Sequence, residues 1–213
     1  ASRPGPRTSV QSFVATQPRS VLQQWCRSEA RSIYLGEHKA LCRILGTYNM
    51  LVDTRDMSLA PHLMLDGFWE TWITQAVARH IRPGMLCADV GANWGYYTVL
   101  LSKFTGEGGH VTAWEPATSV APLLRSTLAL NGCNNVTVVQ AAATDVKGES
   151  FLHAPIIQNG IGVLFGSSHL TGEDKGIRVK TQPLDDYAGD ADFDFVKIDA
   201  EGAELLVWRG MKR

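Results

Sequence analysis

The sequence predicts a doubly wound α/β fold, and three observations predict it. After Gly84, short apolar runs alternate with stretches of helical periodicity, a glycine-rich turn follows the first run, and carboxylates close the second and fourth runs. The chain has 213 residues, 45% hydrophobic and 19% charged, enough for one large core. With 20 Lys and Arg against 21 Asp and Glu, the formal net charge of -1 argues against a broad electrostatic surface for nucleic acid or for an anionic membrane. No apolar run approaches the roughly 20 residues of a membrane-spanning helix, and no charged-then-apolar signal opens the chain. A cytoplasmic protein without nucleic-acid or membrane partners is therefore expected. Cys26, Cys42, Cys87 and Cys133 are widely spaced with no CxxC pair and read as small buried hydrophobes; the histidines show no HExxH spacing, so no metal site is expected.

Residues 1–20 combine Pro4, Gly5, Pro6 and Pro18 with Ser and Thr and predict a flexible tail. Arg3, Arg7, Arg19 and Arg27, with no acidic residue before Glu29, also fit a transit peptide. Residues 21–83 read as an N-terminal cap of helices and strand. The spacing of Val21, Leu22, Trp25 and Cys26 predicts a helix over 21–30, and residues 39–45 predict a second short one. Alternation predicts a strand over 48–52 with a turn at 53–56. Asp66 and Gly67 then precede a helix over 68–81 that Pro83 and Gly84 end.

Residues 84–213 form the main domain. Strands are expected at 85–90, 110–114 and 136–141, with helices at 96–104 and 120–130 between them. Such alternation indicates βαβ units and a parallel sheet covered on both faces. Residues 148–178, rich in glycine, are either a substrate-facing excursion or an irregular antiparallel hairpin. An extra strand at 177–181, a short helix at 184–187, a fourth parallel strand at 193–198 and a helix from 203 complete the pattern.

The first chemical signal is Asp89-Val90-Gly91-Ala92-Asn93-Trp94-Gly95, at the turn from the first strand into a helix. Gly91 and Gly95 remove Cβ atoms where a ligand would lie against the backbone, and helix amides beyond them can receive a carboxylate. A dinucleotide site needs G-x-G-x-x-G under its pyrophosphate, and an acid two residues upstream would face negative charge there. D-x-G-x-x-x-G suits a zwitterion instead, with Asp89 on an amino group directly or through water. Glu115, at the end of the second strand, can accept from both hydroxyls of an unphosphorylated ribose. A methionine-like zwitterion at one end and a ribose at the other specify S-adenosylmethionine. The small residues Ala141 to Ala143 leave room for adenine, and Asp145 is either its contact or a turn carboxylate. In Lys197-Ile198-Asp199-Ala200-Glu201-Gly202-Ala203-Glu204, Asp199 closes the fourth strand beside the switch point where open α/β sheets bind ligands, with Glu201 close by. Glu204 reads as a helix-dipole complement.

These blocks resemble the FkbM family of S-adenosylmethionine-dependent methyltransferases. The resemblance rests on DVGANWGYY at 89–97, Trp114-Glu115-Pro116, residues 141–145, TQPLDDY at 181–187 and KIDAEGAE at 197–204, and covers about 48–213. It implies a Rossmann-like class I methyltransferase sheet and O-methylation of a hydroxyl on a sugar, polyketide or other small molecule. It places Asp89, Gly91, Asn93, Gly95 and Glu115 at the cofactor and Asp199 and Glu201 at the reaction centre, with Glu70 closing over the methionine end; the residues' own reading adds Ala142 and Asp145 as candidates beside adenine. Members continue into a fifth strand and a terminal hairpin. By that comparison the main domain lacks its last strands, and two expectations follow: the sequence is shortened relative to a natural protein, or a second chain or an oligomer completes the sheet.

The expected chemistry is direct displacement at the sulfonium methyl by an acceptor oxygen, with Asp199 as base and Glu201 or His153 as alternatives. Trp69, Trp72 and Trp94 are placed to stack on an acceptor ring or to serve as core. Competing readings are a non-catalytic scaffold, a nicotinamide oxidoreductase that the glycine spacing disfavours, and an RNA methyltransferase that the neutral charge disfavours.

Overall fold

The computed structural model describes residues 9–153, 169–171, 176–188 and 192–212. Its first helix, α1 (Val10–Thr16), is capped by the Ser9 hydroxyl, which accepts the Ser12 amide at 3.1 Å. Phe13 and Val14 of α1 are buried, Phe13 meeting the Trp25 ring of α2 (Arg19–Glu29) at 4.8 Å between centroids. Of the tail expected over 1–20, residues 1–8 lie outside the described residues. The remainder is mostly helical, because Phe13 and Val14 find a core and the Gln75 amide donates to the Val14 and Gln17 carbonyls.

Three strands follow as an antiparallel meander, β1 (Arg31–Gly36), β2 (Lys39–Ile44) and β3 (Tyr48–Asp53). The helix expected over 39–45 is thus a strand. Ala40, Cys42 and Ile44 point inward at every second position, and burial on that face overrides the helix propensity of Lys, Ala and Leu. Glu37 and His38 turn the hairpin with φ of 48° and 59°, a geometry whose usual sequence signal is Asn-Gly. The free edge of β3 meets side chains of a later helix: Asn131 Oδ1 accepts the Asn49 amide and Thr127 Oγ1 accepts the Leu51 amide. Helices α3 (Ala60–Leu65) and α4 (Thr71–His80) complete the cap, α3 having Pro61 in its first turn.

The parallel sheet is then laid down as anticipated by β4 (Leu86–Val90), α5 (Tyr96–Thr105), β5 (His110–Trp114), α6 (Ala121–Leu130) and β6 (Val136–Val139). A second sheet comprises β7 (Ala142–Ala143), β8 (Gly148–His153), β9 (His169–Thr171) and β10 (Ile177–Gln182) in the order β7-β10-β8-β9. Between 148 and 178 the described strands pair antiparallel, β8 with both β9 and β10; residues 154–168 and 172–175 lie outside the described residues. After α7 (Asp185–Ala188), β11 (Phe195–Ile198) joins beside β4 to give the parallel order β11-β4-β5-β6, and α8 (Glu204–Arg209) follows.

Alternation divides the core. Cys87, Val111 and Ala113 face α5 and α6, while Ala88, Val90, Trp114 and Val139 face Leu184 and Val207 on the opposite side. The two-faced cover expected of a doubly wound sheet is present, and β11 and β6 are its edges among the described strands. All four cysteines are free and buried, burial pushing the thiols of Cys26, Cys42 and Cys87 up to about 12. No described helix is long and apolar enough to cross a membrane, and no described cluster of His, Cys, Asp or Glu is placed to hold a metal ion.

Candidate active site

A cavity of about 300 Å³ opens at the carboxyl ends of β4, β5 and β11, with Ser58, Leu59, Trp69 and Glu70 of the cap closing one side. That size is at the lower end for small-molecule sites. Of the residues singled out from sequence, Glu70, Gly91, Asn93, Glu115, Ala142, Asp199 and Glu201 line it together. Asp89, Gly95 and Asp145 do not.

Both glycines also make close contacts within the protein. A Cβ on Gly91 would overlap the Asp199 carbonyl oxygen, because the turn after β4 lies against the end of β11. A Cβ on Gly95 would sit 2.6 Å from Leu124 Cδ1, so this glycine lets α5 and α6 approach. Both also have positive φ, 73° and 95°.

Asp89 stands behind the wall, fully buried. Its Oδ2 accepts the Thr98 hydroxyl at 2.6 Å and its Oδ1 faces Lys197 Nζ at 3.7 Å. Burial pushes its carboxyl above the ordinary range, with Lys197 and Thr98 opposing. Glu115 is on the wall and also buried: its Oε2 accepts the Asn93 amide at 2.8 Å and its Oε1 the Ala117 amide at 2.9 Å. Burial raises it to about 7, against those two amides. Each oxygen keeps a second lone pair for a further donor.

Among the described residues, three of the six non-glycine residues with positive φ line this cavity: Glu70 at 34°, Asn93 at 49° and Glu201 at 46°. Strained backbone concentrates where side chains must be aimed. Glu70 accepts the Tyr97 hydroxyl at 3.0 Å. Asn93 Oδ1 is buried without a hydrogen-bond partner among the described residues, an acceptor left for a ligand donor. The loop bearing Glu201 is clasped by Glu204, whose Oε1 accepts the Ala200 and Gly202 amides at 3.1 Å each; these hydrogen bonds hold its carboxyl below the usual range. Glu204 thus acts as a loop clasp beyond the dipole role expected of it.

Sequence reasoning gave no role to Lys197. It is the only basic side chain among the described residues on the wall, which it shares with Glu70, Glu115, Asp199 and Glu201. Its signal was the two-residue spacing to Asp199 on a strand, which puts both side chains on one face. Tyr97, Leu152 and Leu170 were likewise unassigned and line the cavity. Trp69 and Trp94 line it, whereas Trp72 is exposed on α4 and His153 is exposed away from the wall.

This donor set fits S-adenosylmethionine. Carboxylates outnumber the single ammonium on the wall, as a sulfonium and an amino group require, and Asn93 Oδ1 awaits a donor. Glu115 offers acceptors at the end of β5, Ala142 and Ala143 leave space beside β7, and α5 has no side-chain cap on its first-turn amides.

Solved structures similar over part of the chain include a SAM dependent methyltransferase from Aquifex aeolicus, at 25% identity and TM-score 0.31 over 35% of this chain and 39% of that one. M. jannaschii TYW2 in complex with AdoMet aligns at 20% identity and TM-score 0.39 over 54% and 50%. A SAM-dependent O-methyltransferase from Thermotoga maritima aligns at 17% identity and TM-score 0.34 over 53% and 54%. The chain thus spans about two fifths to a half of the length of these proteins. A comparison with curated proteins finds no match. The model of the methyltransferase FkbM domain matches residues 89–213, more than half of the chain and the whole of the glycine turn, Glu115 and the Asp199 block. The chain belongs to the FkbM family of methyltransferases, whose methyl donor is S-adenosylmethionine.

Proposed function

We propose that this protein methylates a hydroxyl oxygen of a neutral or cationic small molecule or glycan. The observation that carries the reading is the meeting of Glu115 with Asp199 and Glu201 on one cavity wall, from strands separated by more than eighty residues. A ribose acceptor and candidate bases are thereby brought within one site. Glu70, Asp199 and Glu201 disfavour an anionic acceptor such as a phosphorylated chain, since only Lys197 opposes them among the described wall residues.

When bound, S-adenosylmethionine supplies an activated methyl group on a sulfonium. Glu115 holds the ribose hydroxyls, Asn93 Oδ1 takes a further donor, and the first-turn amides of α5 receive the carboxylate. Asp199 would accept the proton of the acceptor hydroxyl, whose oxygen would take the methyl group as the carbon–sulfur bond breaks and leaves the neutral thioether, with Glu201 as its neighbour. Trp69, Leu59, Leu152 and Leu170 exclude water from the acceptor side. The residues behind the wall, Asp89 and Thr98, set the position of those on it.

Thermal unfolding with S-adenosylhomocysteine, and with NADH as control, tests the cofactor assignment. At about 100 times its dissociation constant the thioether adds roughly 2.7 kcal/mol, a rise of about 5 to 10 °C for a chain of this size, and NADH adds none. Tritiated-methyl transfer to hydroxylated acceptors then tests the reaction. Binding without transfer to any of them would make the protein a methyltransferase-like scaffold.

A further inference from the structure

Lys197 is the register partner of Asp89 across the parallel pair β11 and β4, and its side chain is only 10% exposed. Its ammonium donates to Asp199 Oδ2 at 3.2 Å, lies 3.5 Å from the Gly91 carbonyl oxygen, and sits 5.0 Å above the centre of the Tyr97 ring. Asp89 Oδ1 accepts no hydrogen bond and is faced by this ammonium alone among the described polar groups. Asp199 is half exposed at the cavity, and its carboxylate is tethered through Lys197. One cation therefore joins a buried carboxylate behind the glycine turn to a carboxylate on the wall.

We infer that Lys197 is a positioning residue: clamped between Asp89 and Asp199 above Tyr97, it fixes the Asp199 carboxylate at the reacting end of the cavity. Asp89 then acts on the site through Lys197. The inference rests on the proposed cofactor site. Its consequence has a sign that a simple charge would not give. A lysine acting on the ligand only as a cation would repel a sulfonium, so its removal would raise the preference for S-adenosylmethionine over the neutral thioether S-adenosylhomocysteine. A lysine that holds Asp199 in place lowers that preference when removed, because the carboxylate facing the sulfonium is released.

Lys197→Met alone leaves Asp89 buried without a counter-ion and threatens folding, so the substitution is made together with Asp89→Asn, which removes both charges. Calorimetric titrations with S-adenosylmethionine and S-adenosylhomocysteine give the preference as a ratio of Kd values. We expect Asp199→Asn to lower it about fivefold, Lys197→Met/Asp89→Asn to lower it as much, and the triple variant to lower it no further. A double variant with unchanged or raised preference overturns the inference, leaving Lys197 a counter-ion for Asp89. So does an unchanged preference in Asp199→Asn, since Lys197 would then have nothing to transmit. A wild-type protein that binds neither compound defeats the cofactor assignment instead, and the first titration shows it.

Discussion

Glu115 joins its proposed role as the ribose contact to a titration that can be read out. Burial lifts its carboxyl from an ordinary 4.5 to about 7, although two backbone amides already hold the anion. The ribose hydroxyls proposed to meet it are donors, so they would select the ionised form. The Kd for S-adenosylhomocysteine should therefore fall by about tenfold between pH 6 and pH 8, and Glu115→Gln should flatten the profile. The free protein runs the other way. Because the folded value exceeds the unfolded one, stability from this group is fully present below pH 4.5 and is lost as pH rises through 7. Calorimetric titration across that range checks the first trend and thermal unfolding without ligand the second. Asp199 is proposed for the other half of the reaction. Asp199→Asn should leave the S-adenosylhomocysteine Kd within about threefold of wild type while methyl transfer falls by about 10² to 10⁴. Equal turnover in a tritiated-methyl assay would remove Asp199 as the base.

At the scale of elements, the wall facing the sheet depends on how the cap is tied down. Asp56 is buried between β3 and α3, and its Oδ1 accepts the amides of Ser58, Leu59 and Ala60 at 2.9, 2.6 and 3.2 Å. Ser58 and Leu59 line the cavity. Asp56→Ala should cost about 1–2 kcal/mol by chemical denaturation, as for a lost helix cap, and should also weaken S-adenosylhomocysteine binding by loosening that wall. The parallel sheet was legible because its signals are local: apolar runs of four to six residues, a glycine turn, and helices of the right length between them. The cap was less so. The β1–β2 turn is made by Glu37 and His38 in left-handed conformations that contacts beyond the turn must enforce, and β2 reads as helix until its inward face is known. In the site, Glu115, Asp199 and Glu201 were readable from their place at strand ends. Lys197 was not, because its meaning lies in register with Asp89 across two strands distant in sequence. The roles of Gly91 and Gly95 were likewise set by Asp199 and Leu124, which no local spacing reveals.

Across the whole molecule the cap and the sheet share one apolar core. Leu22, Trp25 and Ile44 from the cap belong to the same buried cluster as Leu100 and Leu101 of α5 and Val111 of β5. The cavity lies along this junction, so its geometry depends on the cap staying docked. A shared core also means the two regions should unfold together. Leu22→Ala tests this without touching the cavity wall. Leu22 is fully buried in α2, so its truncation should cost about 2–5 kcal/mol, or roughly 5 to 15 °C in Tm for a chain of this size. Far-ultraviolet circular dichroism and tryptophan fluorescence should report the same lowered transition, because Trp25 of the cap and Trp94 of the glycine turn are buried in one shared cluster. S-adenosylhomocysteine should raise the variant's transition by the same free energy as the wild type's, since the residues assigned to it are intact. Two separated transitions, with only the earlier one moved by the substitution, would show that the cap folds apart from the sheet and that the closed side of the cavity forms in a second step.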